Sequence, residues 1–340
     1  MTLLYATTGY HLILFECMCR AGIIDSNRHV LYNPANEVQL RSGRIVQGIM
    51  SCGYRFDNTY RYHLHNGKLK TLDRIYTTRR RLSFIKRCRL REVYLAKTND
   101  IEARRIMALC CERGVSVHGV EDGLALYGNK SHELRNLDRE SLRGMVYGRL
   151  SDPVKVMCSN SEILDVYATH PGMVRSEIGD KEILRIPPSF TYEERIRISK
   201  AVFACKDDLS WIHSTSLLVL PHSTLFSSQR HLEGFKKAIL KHVDNTSSVA
   251  VSYHPRETKP YMDTAYKNLT LLDNEIPAEM AIMCMYNLQR VIGAASTALK
   301  SAVWLRDDIT TICIKIGQNT SRFENYVAPI LFDRTVSLEE

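Results

Sequence analysis

The chain has 340 residues, 44% of them hydrophobic and 24% charged, with a net charge of +9. That length fits two domains of ordinary globular composition or one large α/β unit, and it argues against disordered, low-complexity and solenoid architectures. Ten scattered cysteines form no C-x-x-C pair and no zinc-spaced Cys/His cluster, and the apolar stretch Leu12–Cys19 carries Glu16 and is followed by Arg20. A disulfide scaffold, a structural zinc site, a signal peptide and a membrane-spanning helix are therefore not expected, and a reducing cytoplasm is the expected compartment.

Strand and helix signals alternate along the chain. Leu3–Ala6 reads as a strand, Thr7-Thr8-Gly9 as a turn and Tyr10–Ala21 as a helix. Arg61–Arg91 holds eleven Lys/Arg against one acid, Asp73, and is densest at Arg79, Arg80, Arg81, Lys86, Arg87, Arg89 and Arg91. Such a field attracts polyanions, whether nucleic acid, an anionic membrane face or an acidic polysaccharide; the plain alternative is a solvated face. Glu92–Ala96 is a second strand, Asp100 caps a helix reaching about Arg113, and Val115–Val120 is a third strand ending on Glu121-Asp122-Gly123.

Residues 169–191 hold His170-Pro171-Gly172, Gly179-Asp180 and Pro187-Pro188, which resist regular structure and read as an interdomain connection. A helix follows near Thr191, with Glu193 and Glu194 in its first turn. The alternation then resumes: strand Ser216–Leu220, helix His231–His242, strand Ser248–Tyr253 ending at His254-Pro255, helix Pro277–Asn287, strand Arg290–Ala294 ending near Ser296-Thr297, and helix Ala298–Leu305. This pattern predicts an α/β protein with two doubly wound parallel sheets and a cleft between them. All three motifs fall at carboxyl ends of strands, where such sheets bind ligands.

Each motif has a defined chemical use. At Ser296-Thr297 a helix N-terminus offers free N–H groups and a partial positive charge, and two hydroxyls there add donors for a phosphate. His254, fixed by Pro255 and followed by Arg256, can neutralise a leaving phosphate or protonate it. Neighbouring strand residues point to opposite faces, so one carboxylate of Glu121-Asp122 faces the ligand while the other orients the loop, and Gly123 lets the backbone turn. A carboxylate in a closed cleft can act as general base on a sugar hydroxyl. Taken singly, the three are also an acidic turn, a loop histidine and a Ser/Thr helix cap. No Asp-x-Asp pair of the kind that holds a metal against a nucleotide diphosphate is present.

The order acidic-acidic-Gly, His-Pro, Ser-Ser/Thr resembles the bacterial sialyltransferases of GT-B fold, which include lipooligosaccharide sialyltransferases and capsular α-2,8-polysialyltransferases. The resemblance implies an inverting, metal-independent enzyme, needing no cofactor, that moves sialic acid from CMP-sialic acid to a glycan hydroxyl. It makes Glu121 the general base and assigns His254 to the CMP phosphate as general acid, with Pro255, Ser296 and Thr297 completing the phosphate site. Glu279 becomes the candidate for the ribose hydroxyls; it also suits a helix first turn by charge alone. The resemblance further implies Rossmann-like domains: 1–168 on the acceptor side, 169–200 as connection and 201–340 for the CMP-sugar. Asp122, Gly123, Thr7, Thr8 and Gly9 form the expected acceptor-side loops. The expected partners are CMP-sialic acid and a glycan acceptor, anionic if the basic segment binds it, or the inner membrane if that segment docks there peripherally. Two other readings stay open at this stage: a GT-B transferase using another nucleotide sugar, and a basic nucleic-acid-binding protein. The second leaves the three-motif order unexplained, and no nucleic acid is expected as partner.

Overall fold

The computed structural model describes residues 1–25, 28–34, 37–48, 50, 68–128, 145–203, 210–243, 248–262, 268–316 and 323–337; side chains of 68–74, 77 and 324 are outside the description. The chain divides into two compact units. The first takes most of the chain to Pro187; the second takes Pro188 onward with Arg44–Ile49 and Tyr127–Asn129.

The first unit holds six parallel strands: β1 (Thr2–Ala6), β2 (Arg28–Tyr32), β3 (Glu92–Leu95), β4 (Ser116–Val120), β5 (Ile163–Ala168) and β6 (Glu182–Arg185), in the order β2-β1-β3-β4-β5-β6. Every residue of β1 is buried, as a central strand covered on both faces requires. Helix α1 (Gly9–Arg20) follows at once, and Leu12, Ile13, Leu14, Phe15, Cys17 and Met18 are all fully buried. A helix apolar around its circumference belongs in the interior. Its one buried acid, Glu16, is paired with Arg20 one turn on at 2.6 Å. Further along the chain lie α2 (Glu37–Gln47), α3 (Lys68–Arg87) and α4 (Ile101–Cys111). Asp100 caps α4, its Oδ1 accepting from the Ala103 N–H at 2.8 Å.

The second unit holds β7 (Ser216–Leu220), β8 (Val249–Tyr253), β9 (Leu269–Leu271), β10 (Arg290–Ala294), β11 (Thr310–Lys315) and β12 (Arg334–Ser337), again parallel, in the order β12-β11-β10-β7-β8-β9. Helices α5 (Tyr192–Phe203), α6 (Gln229–Leu240), α7 (Ala278–Cys284) and α8 (Thr297–Leu305) alternate with them. Leu218, Val251, Ile292 and Ile314 build the core with Phe235 and Ile239 from α6. At the β7–β10 contact, a Cβ on Gly293 would sit 2.3 Å from the Val219 carbonyl oxygen, so this register needs glycine.

The expected connection at 169–200 is corrected. Residues 182–185 pair with β5 as β6, and the Pro/Gly-rich run before them is a set of turns, Pro171–Met173 and Ser176–Ile178, ending at Gly179 with φ 90°. The chain divides at Pro187/Pro188 instead. Soon after it, Thr191 and Glu194 form a reciprocal capping box at the head of α5, with N–H to side-chain oxygen distances of 2.9 and 3.2 Å. The helix expected over Pro277–Asn287 stops at Cys284. There the chain turns extended, and the Arg306 guanidinium takes up the carbonyls of Ile282, Met285 and Leu288.

Candidate active site

The strand order reverses at β1/β3 in the first unit and at β7/β10 in the second. In open α/β sheets ligands bind outside the carboxyl ends of the strands at such points. The motif residues collect at these ends, each within its own unit.

In the first unit, Thr7, Thr8 and Gly9 turn the chain from β1 into α1, with Thr8 as N-cap accepting from the His11 N–H at 3.4 Å. The turn thereby positions Tyr10 and His11 beside the acidic pair that ends β4. Glu121 is fully buried. Its carboxylate accepts from the Tyr10 hydroxyl, from the Thr169 N–H at 2.7 Å and from the Thr169 hydroxyl, which lies 3.0 and 3.1 Å from its two oxygens. The Thr169 hydroxyl in turn lies 2.9 Å from His170 Nδ1. A hydrogen-bonded chain therefore runs from Glu121 through Thr169 to the half-buried His170.

Asp122 points elsewhere and keeps 32% of its side-chain surface exposed. Its Oδ1 sits 3.0 Å from Nε2 of the buried His11. The Thr7 N–H donates to His11 Nδ1 at 3.1 Å, so Nδ1 is the bare nitrogen and Nε2–H donates to Asp122. Gly123 has φ 56°, in the left-handed region where glycine costs least. One acid is thus enclosed and the other, partly exposed, is steered by a histidine.

In the second unit, Ser296 caps α8, with Oγ accepting from the Leu299 N–H at 3.1 Å. An accepting hydroxyl keeps its own proton for donation, so the cap and a phosphate contact are compatible. Thr297, half-buried, opens the helix and adds a second hydroxyl. Lys300, one turn on and fully buried, holds its Nζ 4.9 Å from the Tyr127 ring centroid. Glu279 is buried in the first turn of α7.

His254 follows β8, with Pro255 exposed beside it. The Arg256 N–H donates to His254 Nδ1 at 3.2 Å, which assigns the proton to Nε2. Burial, then Arg256 and His222, hold its imidazolium below the ordinary histidine range. The ring meets that of His222 edge to face, with centroids 5.6 Å apart. Glu257 ties the two loops together. Its carboxylate accepts from the Ser223 N–H at 2.8 Å, after β7, and from the Thr258 and Lys259 N–H groups at 3.1 and 3.3 Å, after β8. Burial opposes ionisation of Glu257, but hydrogen bonds from Ser223 and the Lys259 N–H, with His222 beside it, outweigh burial and hold the carboxyl below the usual range.

The sequence reading missed Tyr10, His11, Thr169, His222 and Glu257. His222 had a signal, since it follows a fully buried strand and a proline just as His254 precedes one. The others come together through strand order, which spacing does not provide.

The basic segment needs one correction. Arg61–Gly67 lies outside the described residues. Arg79, Arg80, Lys86, Arg87 and Arg89 are exposed on or just after α3. Arg81 is not part of that surface: it is 1% exposed and bonds Glu102 at 3.1 Å. Arg79 bonds the Val146 carbonyl at 2.8 Å while remaining exposed.

Two parallel, doubly wound units with ligand-end clusters define an α/β protein of the GT-B class. The fold neighbours agree. An α/β-galactoside α-2,3-sialyltransferase from the luminous marine bacterium Photobacterium phosphoreum covers 99% of this chain and 98% of its own, at 10% identity and a TM-score of 0.55. A UDP-GlcNAc 2-epimerase from Neisseria meningitidis bound to UDP-GlcNAc covers 96% and 85%, at 12% identity and a TM-score of 0.57. The UDP co-structure of S. aureus MnaA covers 92% and 78%, at 10% identity and a TM-score of 0.51. At these identities the likeness concerns the fold alone. No curated protein matches the sequence. The family model for alpha-2,8-polysialyltransferase matches residues 55–315, and the chain belongs to that family. It is a glycosyltransferase of the sialyltransferase kind.

Proposed function

We propose that this protein transfers sialic acid from CMP-sialic acid, with inversion and without a metal, to a hydroxyl of a bacterial surface glycan of capsule or lipooligosaccharide type. Polysialic acid elongation is the favoured version. The observation that carries the reading is the family match over 55–315, which spans Glu121, His254 and Ser296 together.

Glu121 takes the acceptor proton. The Tyr10 hydroxyl and the Thr169 N–H and hydroxyl hold its carboxylate in place as the base of the reaction. Asp122 and Gly123, with Thr7, Thr8 and Gly9, shape the acceptor side. His254 Nε2–H, the Ser296 and Thr297 hydroxyls and the α8 N-terminus meet the phosphate charge that develops as CMP leaves, and Glu279 holds the ribose. No metal or other cofactor takes part. Arg79, Arg80, Lys86, Arg87 and Arg89 attract the growing anionic glycan, or the inner-membrane face of a reducing cytoplasm. The eight free thiols described, and the lack of any helix among the described residues long and apolar enough to cross a membrane, agree with such a location without fixing it.

The test is CMP release from CMP-sialic acid across an acceptor panel, with Glu121→Gln and Asp122→Asn beside the wild type. The expected result is acceptor-dependent release, lost about 10²- to 10⁴-fold in Glu121→Gln with CMP affinity retained. A larger loss in Asp122→Asn would move the base to Asp122. Release from another nucleotide sugar instead would change the donor.

A further inference from the structure

In the second sheet the order reads β10-β7-β8, so β7 lies between the strand that leads to Ser296 and the strand that leads to His254. Neighbouring strands are about 4.8 Å apart. Whatever spans from the Ser296 hydroxyl to His254 must therefore cross the carboxyl end of β7. The residues there are Pro221, His222, Ser223 and Thr224.

His222 is built for contact at that point. The Thr224 N–H donates to its Nδ1 at 3.2 Å, and the Thr224 hydroxyl lies 2.8 Å from the same nitrogen. The proton is therefore on Nε2. His254 is held in the same tautomer by Arg256. Among the described residues neither Nε2 has a hydrogen-bond partner. Glu257 fixes the separation of the two loops by bonding backbone from both. With ring centroids 5.6 Å apart, both Nε2–H groups fall within the span that one phosphate bridges through two hydrogen bonds of about 2.8 Å.

We infer that His222 is a second donor-binding histidine, giving its Nε2–H to the nucleotide phosphate between His254 and Ser296. The inference rests on the donor reading proposed above and adds a residue to it. His222 binds the phosphate in both ground and transition state, so its loss acts mainly on donor affinity, whereas loss of the His254 proton acts on turnover.

The variant to make is His222→Asn. The Asn side-chain oxygen can take over from Nδ1 as acceptor for the Thr224 N–H, which keeps the turn and removes Nε2–H alone. Binding of CMP and of cytidine is measured calorimetrically for wild type and His222→Asn, with a thermal melt as the check on folding. Expected are an unchanged melt, CMP binding weakened about 10- to 100-fold and cytidine binding unchanged. An equal loss for CMP and cytidine, or no loss for CMP, would overturn the role of His222 while leaving the donor reading in place. A wild type that binds neither ligand would overturn the donor reading and this inference with it. If His222→Asn melts lower, His222→Ala under the same protocol decides, by whether the CMP loss exceeds the cytidine loss.

Discussion

Each unit has a parallel sheet whose strand order reverses once, yet the groups at the carboxyl ends of the strands differ in kind. In the first unit they are carboxylates with their donors already in place: Glu121 on Tyr10 and Thr169, Asp122 on His11. In the second unit one carboxylate, Glu257, is likewise bound by backbone donors, but beside it stand two further donors, His222 and His254, whose Nε2–H groups meet no acceptor among the described residues. A satisfied polar network holds a shape and responds to a proton; an array of fixed donors responds to an anion. Under the proposed function, the first unit would handle the acceptor hydroxyl and the second the leaving phosphate.

The comparison can be broken most forcefully in the first unit. Arg81 and Glu102 form a buried ion pair that continues through Asn33 and Tyr5 to Asp100, with bonds of 2.9, 2.9 and 2.8 Å. Removing one member leaves an uncompensated charge, so Arg81→Met is expected to cost about 3–5 kcal/mol in urea unfolding. A loss below about 1 kcal/mol would mean that water compensates Glu102 and that the network is not tight.

A smaller effect is expected in the second unit. Ser296→Ala removes the α8 cap and should cost about 1 kcal/mol of stability, together with a clear loss of CMP affinity. Stability loss without a change in affinity would reduce Ser296 to a plain helix cap.

The smallest effect is a pH dependence. Burial, Arg256 and His222 depress the folded pKa of His254, while Glu257 opposes them. Between that depressed value and the unfolded value of about 6.5, the unfolded chain binds more protons. Stability therefore rises with pH through this window and levels off above it. Thermal melts between pH 5 and 7.5 should show a shallower rise in His254→Gln than in wild type; identical slopes would remove His254 as the source.

Much of the fold is written in local patterns. β7 and β10 fall where the apolar runs predict them, and Asp100 caps α4 as expected. The unpredicted strands include all four sheet edges, β2, β6, β9 and β12. Edge strands are short and carry polar residues, as in Glu182–Arg185 and Arg334–Ser337, which hides them from a hydrophobic pattern. The same logic governs the site. His254 and Ser296 announce themselves by following strands, whereas His222 gains meaning from a sheet order that places β10 beside β7 although β8 and β9 come between them in sequence.

The inward turn of Arg81 also fixes the rotational phase of α3. Residues 79 and 80 face solvent, 81 and 82 face inward, and 86 and 87 face solvent again. A cluster that looks uniform along the sequence is therefore sorted around the helix axis into a charged rim and a structural anchor. Neutralising the whole Arg79–Arg91 run would measure folding and the proposed glycan attraction at once. Neutralising Arg80, Lys86 and Arg87 while sparing Arg81 would isolate the second, and the salt dependence of transfer to long acceptors would then report the field of the helix surface alone.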